Sequence, residues 1–186
     1  MTRIITGSAK NKKLKAPRIE DYRAVQDVAK GSLFSIIGTD IENATCLDLY
    51  SGSGNLGLEA LSREAKWCDF VDENAKAIKT IEENIKNCNF LGNSKIFHKD
   101  CVKYVANTEK DYDYIFVDPF YHVTSHKFLV KNLDEILKPS GMIVFFHGDN
   151  LNMSKLIADT NLQIIDERRF GNSYFTLLKH SKQDFS

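Results

Sequence analysis

The sequence predicts an α/β fold: a doubly wound, seven-stranded sheet with its last strand antiparallel, preceded by an N-terminal β-hairpin. One observation is the alternation of short β-branched and aromatic runs with segments of helical period from residue 45 onward, which is typical of parallel βα units. Another is a pair of strand-like runs near the carboxyl end that are joined by only four residues, 170–173. Because that connection is too short for a parallel crossover, these strands are expected to pair antiparallel.

The individual elements follow from this alternation. Strands are predicted at 45–50, 67–71, 94–98, 112–117 and 142–146, with the closing hairpin at 162–168 and 174–179. Helices are predicted at 56–63, 73–87, near 102–106, at 127–137 and near 154–159. In the 73–87 helix, Ile78, Ile81 and Ile85 share one face. The proline and glycine at positions 139 and 141 are expected to end the 127–137 helix.

A basic segment precedes this series. Residues 3–6 and 13–14 are expected to form a small hairpin around Gly7 and Asn11, both of which suit turns. A helix is predicted at Asp27–Ile37, where the apolar residues at helical spacing are Val28, Leu33, Phe34 and Ile37. We therefore divide the chain into a basic hairpin-and-helix segment, residues 1–43, and a main domain, residues 44–186.

Charge is distributed unevenly along a chain whose net charge is zero. Residues 1–30 carry a net charge of +5, and the remaining residues carry −5. A basic arm on an acidic body suggests a polyanionic partner that is contacted from one side. An ordinary solvated surface segment would have the same composition, and both interpretations stay open on composition alone.

Other features limit the function classes. The chain has no signal-peptide pattern and no apolar run near 18 residues, so we expect a soluble, cytoplasmic protein without a membrane partner. Its four cysteines form no C-x-x-C pair and are interpreted as reduced core thiols; they are Cys46, Cys68, Cys88 and Cys101. His122 and His126 are spaced for one helix face but lack a third ligand, so no metal site is predicted.

Three acidic residues lie at or just after the carboxyl ends of three consecutive predicted strands. They are Asp48, Asp72 and Asp100, and the carboxyl ends of such strands form the ligand-binding edge of a doubly wound sheet. Glycines at 52, 54 and 57 follow the first acid and allow a tight turn and a close approach to a ligand. Any one of these acids could be a turn or cap residue, but together they favour a nucleoside cofactor.

The glycines match the G-x-G-x-x-G pattern of NAD-binding proteins, with Asp72 at 20 residues beyond Gly52. Asp48 would repel a pyrophosphate, however, and there is no second substrate domain. S-adenosylmethionine has an ammonium, a ribose and an adenine but no phosphate, so three acids suit it better. We therefore expect S-adenosylmethionine as the cofactor, with an NAD-dependent enzyme as an alternative.

The predicted strand at 112–117 ends in Asp118-Pro119-Phe120-Tyr121. A carboxylate and a carbonyl held against the hydrogens of an exocyclic amine would localise its lone pair toward a sulfonium methyl, and the alignment would supply most of the catalysis. Proline stiffens the backbone, and Tyr121 can stack on a target base that has left its helix. We predict Asp118, Pro119 and Tyr121 as the catalytic residues.

A set of sequence stretches, taken in order, makes the chain recognisable: RIITGSAKNKKLKAP, R-x-x-x-D at 23–27, SLFSII, LDLYSGSGNLGLEALSR, FVDEN, KDC, YDYIFVDPFY and RRFGNSYFTLL. The chain resembles the bacterial 16S ribosomal RNA guanine-N2 methyltransferases, a family of small class I methyltransferases with a Rossmann-like fold. The resemblance covers nearly the whole chain.

The resemblance implies methylation of the exocyclic N2 of a guanine in 16S rRNA, within a small ribosomal subunit or an assembly intermediate, by a monomer. The cofactor-binding residues that it implies are Asp48, Tyr50, Gly52, Ser53, Gly54, Asp72, Glu73, Asp100, Cys101 and Asp118. The RNA-binding residues that it implies are Arg3, Lys10, Lys12, Lys13, Lys15, Arg18, Arg23 and Phe120.

The chain departs from the family pattern at several positions. Phe120 replaces a proline that usually follows Asp-Pro, and Phe146 stands where a glutamate is common; Val28 and Gly31 also differ. Two alternatives follow. One is an adenine-N6 methyltransferase on RNA or DNA, because the same motif serves either amine. The other is a protein that binds S-adenosylmethionine and RNA with impaired catalysis.

Overall fold

The computed structural model describes residues 2–20, 25–120 and 126–181. Its helices are α1 (Asp27–Ile37), α2 (Asn55–Ser62), α3 (Ala75–Cys88), α4 (Cys101–Asn107), α5 (Lys127–Ile136) and α6 (Met153–Leu156). Its strands are β1 (Thr45–Leu49), β2 (Trp67–Asp72), β3 (Ser94–His98), β4 (Tyr112–Val117), β5 (Leu137–Gly148), β6 (Leu162–Phe170) and β7 (Ser173–His180). The predicted alternation of strands and helices is confirmed.

The strands form one seven-stranded sheet in the order β3-β2-β1-β4-β5-β7-β6. The first five strands pair in parallel, and β7 pairs antiparallel with both β5 and β6. The prediction of a doubly wound sheet with a reversed last strand is therefore confirmed. Strand order reverses beside β1, so the carboxyl ends of β1 and β4 meet at the switch point where such sheets bind ligands.

The core lies on both faces of the sheet because alternate side chains of a strand point to opposite faces. On β4, Tyr114 and Phe116 join one apolar cluster with α1, α2 and α3, whereas Ile115 and Val117 join another with α4 and α5. All four cysteines are buried and free, as predicted. In the described part of the chain, no helix is long and apolar enough to cross a membrane.

Two local predictions are wrong. The segment that includes Pro139 and Gly141 does not separate α5 from a later strand, because β5 already begins at Leu137. A Cβ at Gly141 would lie 2.7 Å from Leu137 Cδ1 and 3.0 Å from the Asp113 carbonyl oxygen, so glycine lets β5 pass close to β4. Val28 does not join the apolar face of α1: it is 71% exposed.

The predicted N-terminal hairpin is present: Arg3 and Lys13 form an antiparallel bridge, and the Ile4 N–H donates to the Lys12 carbonyl at 2.9 Å. Helix α2 holds the same backbone from outside the hairpin. The Ile5 and Thr6 N–H groups donate to the two carboxylate oxygens of Glu59 at 2.8 and 3.1 Å. The Ser62 hydroxyl donates to the Thr6 carbonyl at 2.6 Å. The basic segment is thus fixed to the helix that follows the glycine loop.

The same glutamate forms a buried ion pair with Lys30. Both side chains are inaccessible to solvent, and Lys30 Nζ lies 3.2 Å from Glu59 Oε2. Lys30 Nζ also donates to Asn55 Oδ1 at 2.7 Å and to the Arg3 carbonyl at 2.6 Å. Burial lowers the pKa of Lys30, and the Glu59 carboxylate opposes that change. Lys30 belongs to the basic segment by sequence, but its charge is not available to a partner.

Replacing Glu59 with Gln is expected to lower the free energy of unfolding by about 3 kcal/mol, because a buried lysine loses its counter-charge. Glu83→Gln is the matched control, since Glu83 pairs with Lys15 at the surface and such pairs contribute less than about 1 kcal/mol. Urea denaturation of both variants measures the difference. Equal losses would show that the buried pair is not a main anchor of the N-terminal segment.

Candidate active site

A glycine loop connects β1 to α2, and its backbone alternates through the left-handed region. The φ angles are 55° at Tyr50, 55° at Gly52 and 75° at Gly54. Glycine adopts this conformation without strain, whereas for Tyr50 the left-handed conformation is energetically unfavourable. The Gly54 N–H donates to the Ser51 carbonyl at 2.6 Å and closes the turn. The loop therefore has a defined shape at the carboxyl end of β1.

Two of the acidic residues predicted to bind the cofactor stabilise this loop through hydrogen bonds. Asp72 Oδ2 accepts the Gly52 N–H at 2.9 Å, and its Oδ1 accepts the Asn74 N–H at 2.8 Å. Asp48 Oδ2 accepts the Gly57 N–H at 2.9 Å, in the first turn of α2. Each carboxylate oxygen has a second lone pair, so these contacts leave both acids able to accept further hydrogen bonds.

Asn84, a residue of α3 that the sequence did not single out, joins the loop to the N-terminal segment. Its Nδ2 donates to the Ser53 carbonyl at 2.8 Å and to the Lys15 carbonyl at 2.9 Å, and its Oδ1 accepts the Lys15 N–H at 2.9 Å. The side chain is buried. Its position on the apolar stripe between Ile81 and Cys88 was the available sequence signal.

The remaining predicted cofactor residues lie at the ends of β2 and β3. Asp100 is the N-cap of α4 and accepts the Lys103 N–H at 2.8 Å. The buried Cys101 sulfur accepts the Tyr50 N–H at 3.3 Å and so links α4 to the glycine loop. Glu73 follows Asp72 with an exposed side chain, and its carbonyl lies 2.9 Å from His98 Nε2. These contacts place the predicted residues along one edge.

The electrostatics of this edge are unusual because its acids are not neutralised. In the described residues, Asp48, Asp72, Asp100 and Asp118 form no salt bridge with a lysine or arginine. Burial raises the pKa of Asp48 well above its ordinary value, and Asp118 and Asp72 add repulsion. Burial likewise raises the pKa of Asp72. Such a site suits a ligand with a cation and hydrogen-bond donors, and it opposes a phosphate.

Asp118 follows β4 directly and lies beside the glycine loop. Its backbone nitrogen is 3.5 Å from the Leu49 carbonyl oxygen, and its charge raises the pKa of Asp48. The Asp118 side chain is partly buried, and this burial raises its pKa to about 7. A carboxyl group that titrates near neutral pH, beside a ligand-binding loop, is a candidate catalytic group.

A shallow depression adjoins this motif on the side of β5. Its lining includes Pro119, Phe120, His126, His147 and Asn150. Pro119 is buried, whereas Phe120 is 44% exposed. The depression thus has an aromatic rim and lies next to the carboxyl end of β4. Tyr121, the third predicted catalytic residue, lies outside the described residues, as does His122.

The basic residues of the predicted RNA-binding set occupy the N-terminal segment, whereas Phe120 lies at the rim of the depression. The six basic residues that the structure describes are all exposed: Arg3, Lys10, Lys12, Lys13, Lys15 and Arg18. Arg23 lies outside the described residues. Arg3 approaches Asp27 at 3.8 Å and Lys15 pairs with Glu83 at 2.9 Å, so part of the charge is offset within the chain. In the described ranges no group of acids, histidines and cysteines could hold a metal ion.

Comparison with known proteins identifies the family. A family model described as "Conserved hypothetical protein 95" matches residues 2–179. The chain belongs to this family. It is 35% identical over 162 residues to "Putative rRNA methyltransferase YlbH" of Bacillus subtilis, covering 84% of this chain and 88% of that protein. It is 31% identical over 117 residues to "Ribosomal RNA small subunit methyltransferase D" of Escherichia coli K12, and this match covers 63% of this chain and 59% of that protein.

A solved structure agrees with the predicted fold class. "Putative methyltransferase yhhF" from Escherichia coli superposes with a TM-score of 0.81 over 97% of this chain and 98% of that chain, at 22% sequence identity. The Rossmann-like fold of class I methyltransferases, predicted from the sequence, is confirmed. The acids and the glycine loop described above lie at the ligand-binding edge of that fold.

The raised pKa values predict how stability depends on pH. Because Asp48, Asp72 and Asp118 bind protons more tightly in the folded protein, the free energy of unfolding should fall as pH rises from about 4 toward 7. Asp118→Asn removes one of these groups, so its curve should be flatter between about pH 4 and pH 7. Urea denaturation across this range measures both curves, and parallel curves would contradict the assignment of a raised pKa to Asp118.

Proposed function

We propose that this protein transfers a methyl group from S-adenosylmethionine to the exocyclic N2 of a guanine in 16S rRNA, within a small ribosomal subunit or an assembly intermediate. The observation that carries the proposal is the position of Asp118 and Pro119, at the carboxyl end of β4, between the glycine loop and the depression. The names of the Bacillus subtilis and Escherichia coli relatives support rRNA methylation. The name of the Escherichia coli relative also supports RNA of the small ribosomal subunit as the substrate.

The donor set at this edge fits S-adenosylmethionine. Asp48 would face its ammonium, directly or through water, and this cation would offset the cost of burying the carboxylate. Asp72 would accept from the ribose hydroxyls, and Asp100 with the Cys101 amide would meet the adenine. Without a basic residue paired to these acids in the described chain, a pyrophosphate would be repelled, which disfavours NAD.

When bound, S-adenosylmethionine supplies an electrophilic methyl group on its sulfonium. The Asp118 carboxylate and the Pro119 carbonyl would accept the two hydrogens of the guanine amine and so turn its lone pair toward that methyl. The rigid proline ring limits motion of the carbonyl, and the Phe120 ring at the rim offers a face to the flipped base. As the N–C bond forms, the S–C bond would break to leave a neutral thioether, and the amine, acidic only then, would lose its proton to the Asp118 carboxylate. Alignment rather than a strong base therefore carries the reaction.

This mechanism requires the charged form of Asp118, because a protonated carboxyl accepts hydrogen bonds poorly. With a pKa of about 7 in the free enzyme, the carboxylate fraction rises through neutral pH. A bound cationic cofactor would increase that fraction further, because an opposite charge favours the ionised acid.

Asp118→Asn is expected to lower kcat by roughly 100-fold or more and to leave cofactor affinity within about threefold, since the acid acts on the amine in the transition state. Asp149→Asn is the control, because Asp149 is an exposed acid just beyond β5 at the same edge. Tritiated S-adenosylmethionine, small subunits from a strain without the cognate enzyme and nucleoside analysis give the readout.

Label in N2-methylguanosine is the expected result for the wild-type protein. Label in N6-methyladenosine would contradict guanine as the target base but would agree with methyl transfer to an exocyclic amine. Cofactor binding without any transfer would contradict the enzyme proposal and favour a protein with impaired catalysis. A large loss of cofactor affinity in Asp118→Asn would show that this acid is mainly a cofactor ligand.

Asn84→Ala is expected to weaken S-adenosylmethionine binding about tenfold, because the Ser53 carbonyl and the Lys15 backbone lose their shared partner and the glycine loop loses its support. Asn87→Ala is the matched control: Asn87 lies on the same helix and donates to the Lys13 carbonyl at 3.2 Å from an exposed position. Calorimetric titration of both folded variants measures the change. Equal cofactor affinities of the two variants would show that Asn84 does not help to position the cofactor.

A further inference from the structure

Three side chains form a row across the last three strands of the sheet. His147 on β5 lies opposite Tyr174 on β7, and Tyr174 lies opposite Arg169 on β6. The rings of His147 and Tyr174 are stacked, with centroids 5.5 Å apart and an interplanar angle of 7°. The Arg169 guanidinium carbon lies 5.7 Å from the centroid of the Tyr174 ring. Directly opposed residues share a face, so the three form one continuous layer.

Strand direction places this row at the catalytic edge. Strand β5 is parallel to β4 and ends at Gly148, β7 begins at Ser173, and β6 ends at Phe170. The carboxyl ends of β4, β5 and β6 therefore point the same way, toward Asp118. His147 also lines the depression, as Pro119 does. The row thus leads from the wall of the depression outward to Arg169.

The inner end of the row is fixed by hydrogen bonds. His147 Nε2 lies 2.8 Å from the Thr176 hydroxyl, which donates to Glu167 at 2.7 Å, and His147 Nδ1 lies 2.8 Å from the Gly148 carbonyl oxygen. His147 is buried, Tyr174 is partly buried and Arg169 is exposed. Because the imidazole cannot rotate, the tyrosine ring stacked on it gives the guanidinium a rigid support.

The two neighbouring arginines of β6 differ in their partners. Arg168 Nε pairs with Asp166 Oδ2 at 2.9 Å. Arg169 forms no ion pair within the described ranges; its Nε donates to the Gly171 carbonyl at 2.8 Å. That bond orients the guanidinium and leaves its charge without a carboxylate. An arginine that lies over an aromatic ring, and whose charge is not neutralised by a carboxylate, is well suited to bind a phosphate.

We propose that Arg169, supported by Tyr174, binds the phosphate of a nucleotide that flanks the target base in the RNA. This inference rests on the proposed function. A target base that stacks against Phe120 at the rim of the depression must leave its own helix, so the backbone on one side of it would pass beside β6 and β7. The chain beyond residue 30 carries a net charge of −5, so a local cation at this rim gives an attraction that the body as a whole does not supply.

The test compares Arg169→Ala with Arg168→Ala on naked 16S RNA and on small subunits. Arg169→Ala is expected to raise the KM for RNA about tenfold and to reduce the slope of log affinity against log salt by about one, with cofactor affinity unchanged. Arg168→Ala should stay within about twofold of wild type. Compared with Arg169→Ala, Arg169→Lys should restore most of the salt slope because the positive charge is kept. It should restore only part of the affinity for RNA because lysine lacks the planar guanidinium.

Each outcome separates this inference from the proposed function. If the wild-type protein methylates RNA but Arg169→Ala behaves like Arg168→Ala, the phosphate contact is wrong and the proposed function stands. If the loss appears only with assembled subunits and not with naked RNA, Arg169 contacts a protein and the inference is wrong. If the wild-type protein neither binds nor methylates RNA, both proposals fail together.

Discussion

The geometry of the candidate site depends on two carboxylates that form hydrogen bonds with the backbone of the glycine loop and of the helix after it. Asp48 and Asp72 accept backbone N–H groups of Gly57 and Gly52, and these bonds help to define the left-handed backbone at residues 50–54. The same two acids are proposed ligands of the cofactor. Their burial is costly, as the direction of their pKa values shows, and a cationic ligand would relieve that cost. The loop and its ligand are therefore linked by the same charges.

The N-terminal segment depends on this scaffold as well. Its backbone bonds go to Glu59, Ser62 and Asn84, which lie on the two helices that flank the glycine loop. Its apolar residues Ile4 and Leu14 belong to the same core cluster as helix α2. A basic surface and the glycine loop thus share their supports, and displacement of one would disturb the other.

Most of the fold was predictable from the sequence because its elements follow from local periodicity and turn residues. The start of β5 was not: Pro139 reads as a helix stop, and only the close approach of Gly141 to β4 explains why the strand extends through it. The acids at the strand ends were predictable as a set, since parallel strands bring their carboxyl ends together. Lys30 and Asn84 were missed because each lies on the apolar stripe of its helix but has partners distant in sequence, which no local pattern specifies.

The sequence separation of these anchors has a consequence for the order of folding. Residue 5 bonds to a partner 54 positions later, and residue 15 to a partner 69 positions later. Closing loops of that length is slow relative to forming the helices themselves. During synthesis, the N-terminal segment must therefore wait until α3 has emerged before it can dock. The basic segment that the sequence predicts to bind RNA reaches its docked position only after the glycine loop has been made, so a nascent chain cannot hold it there earlier.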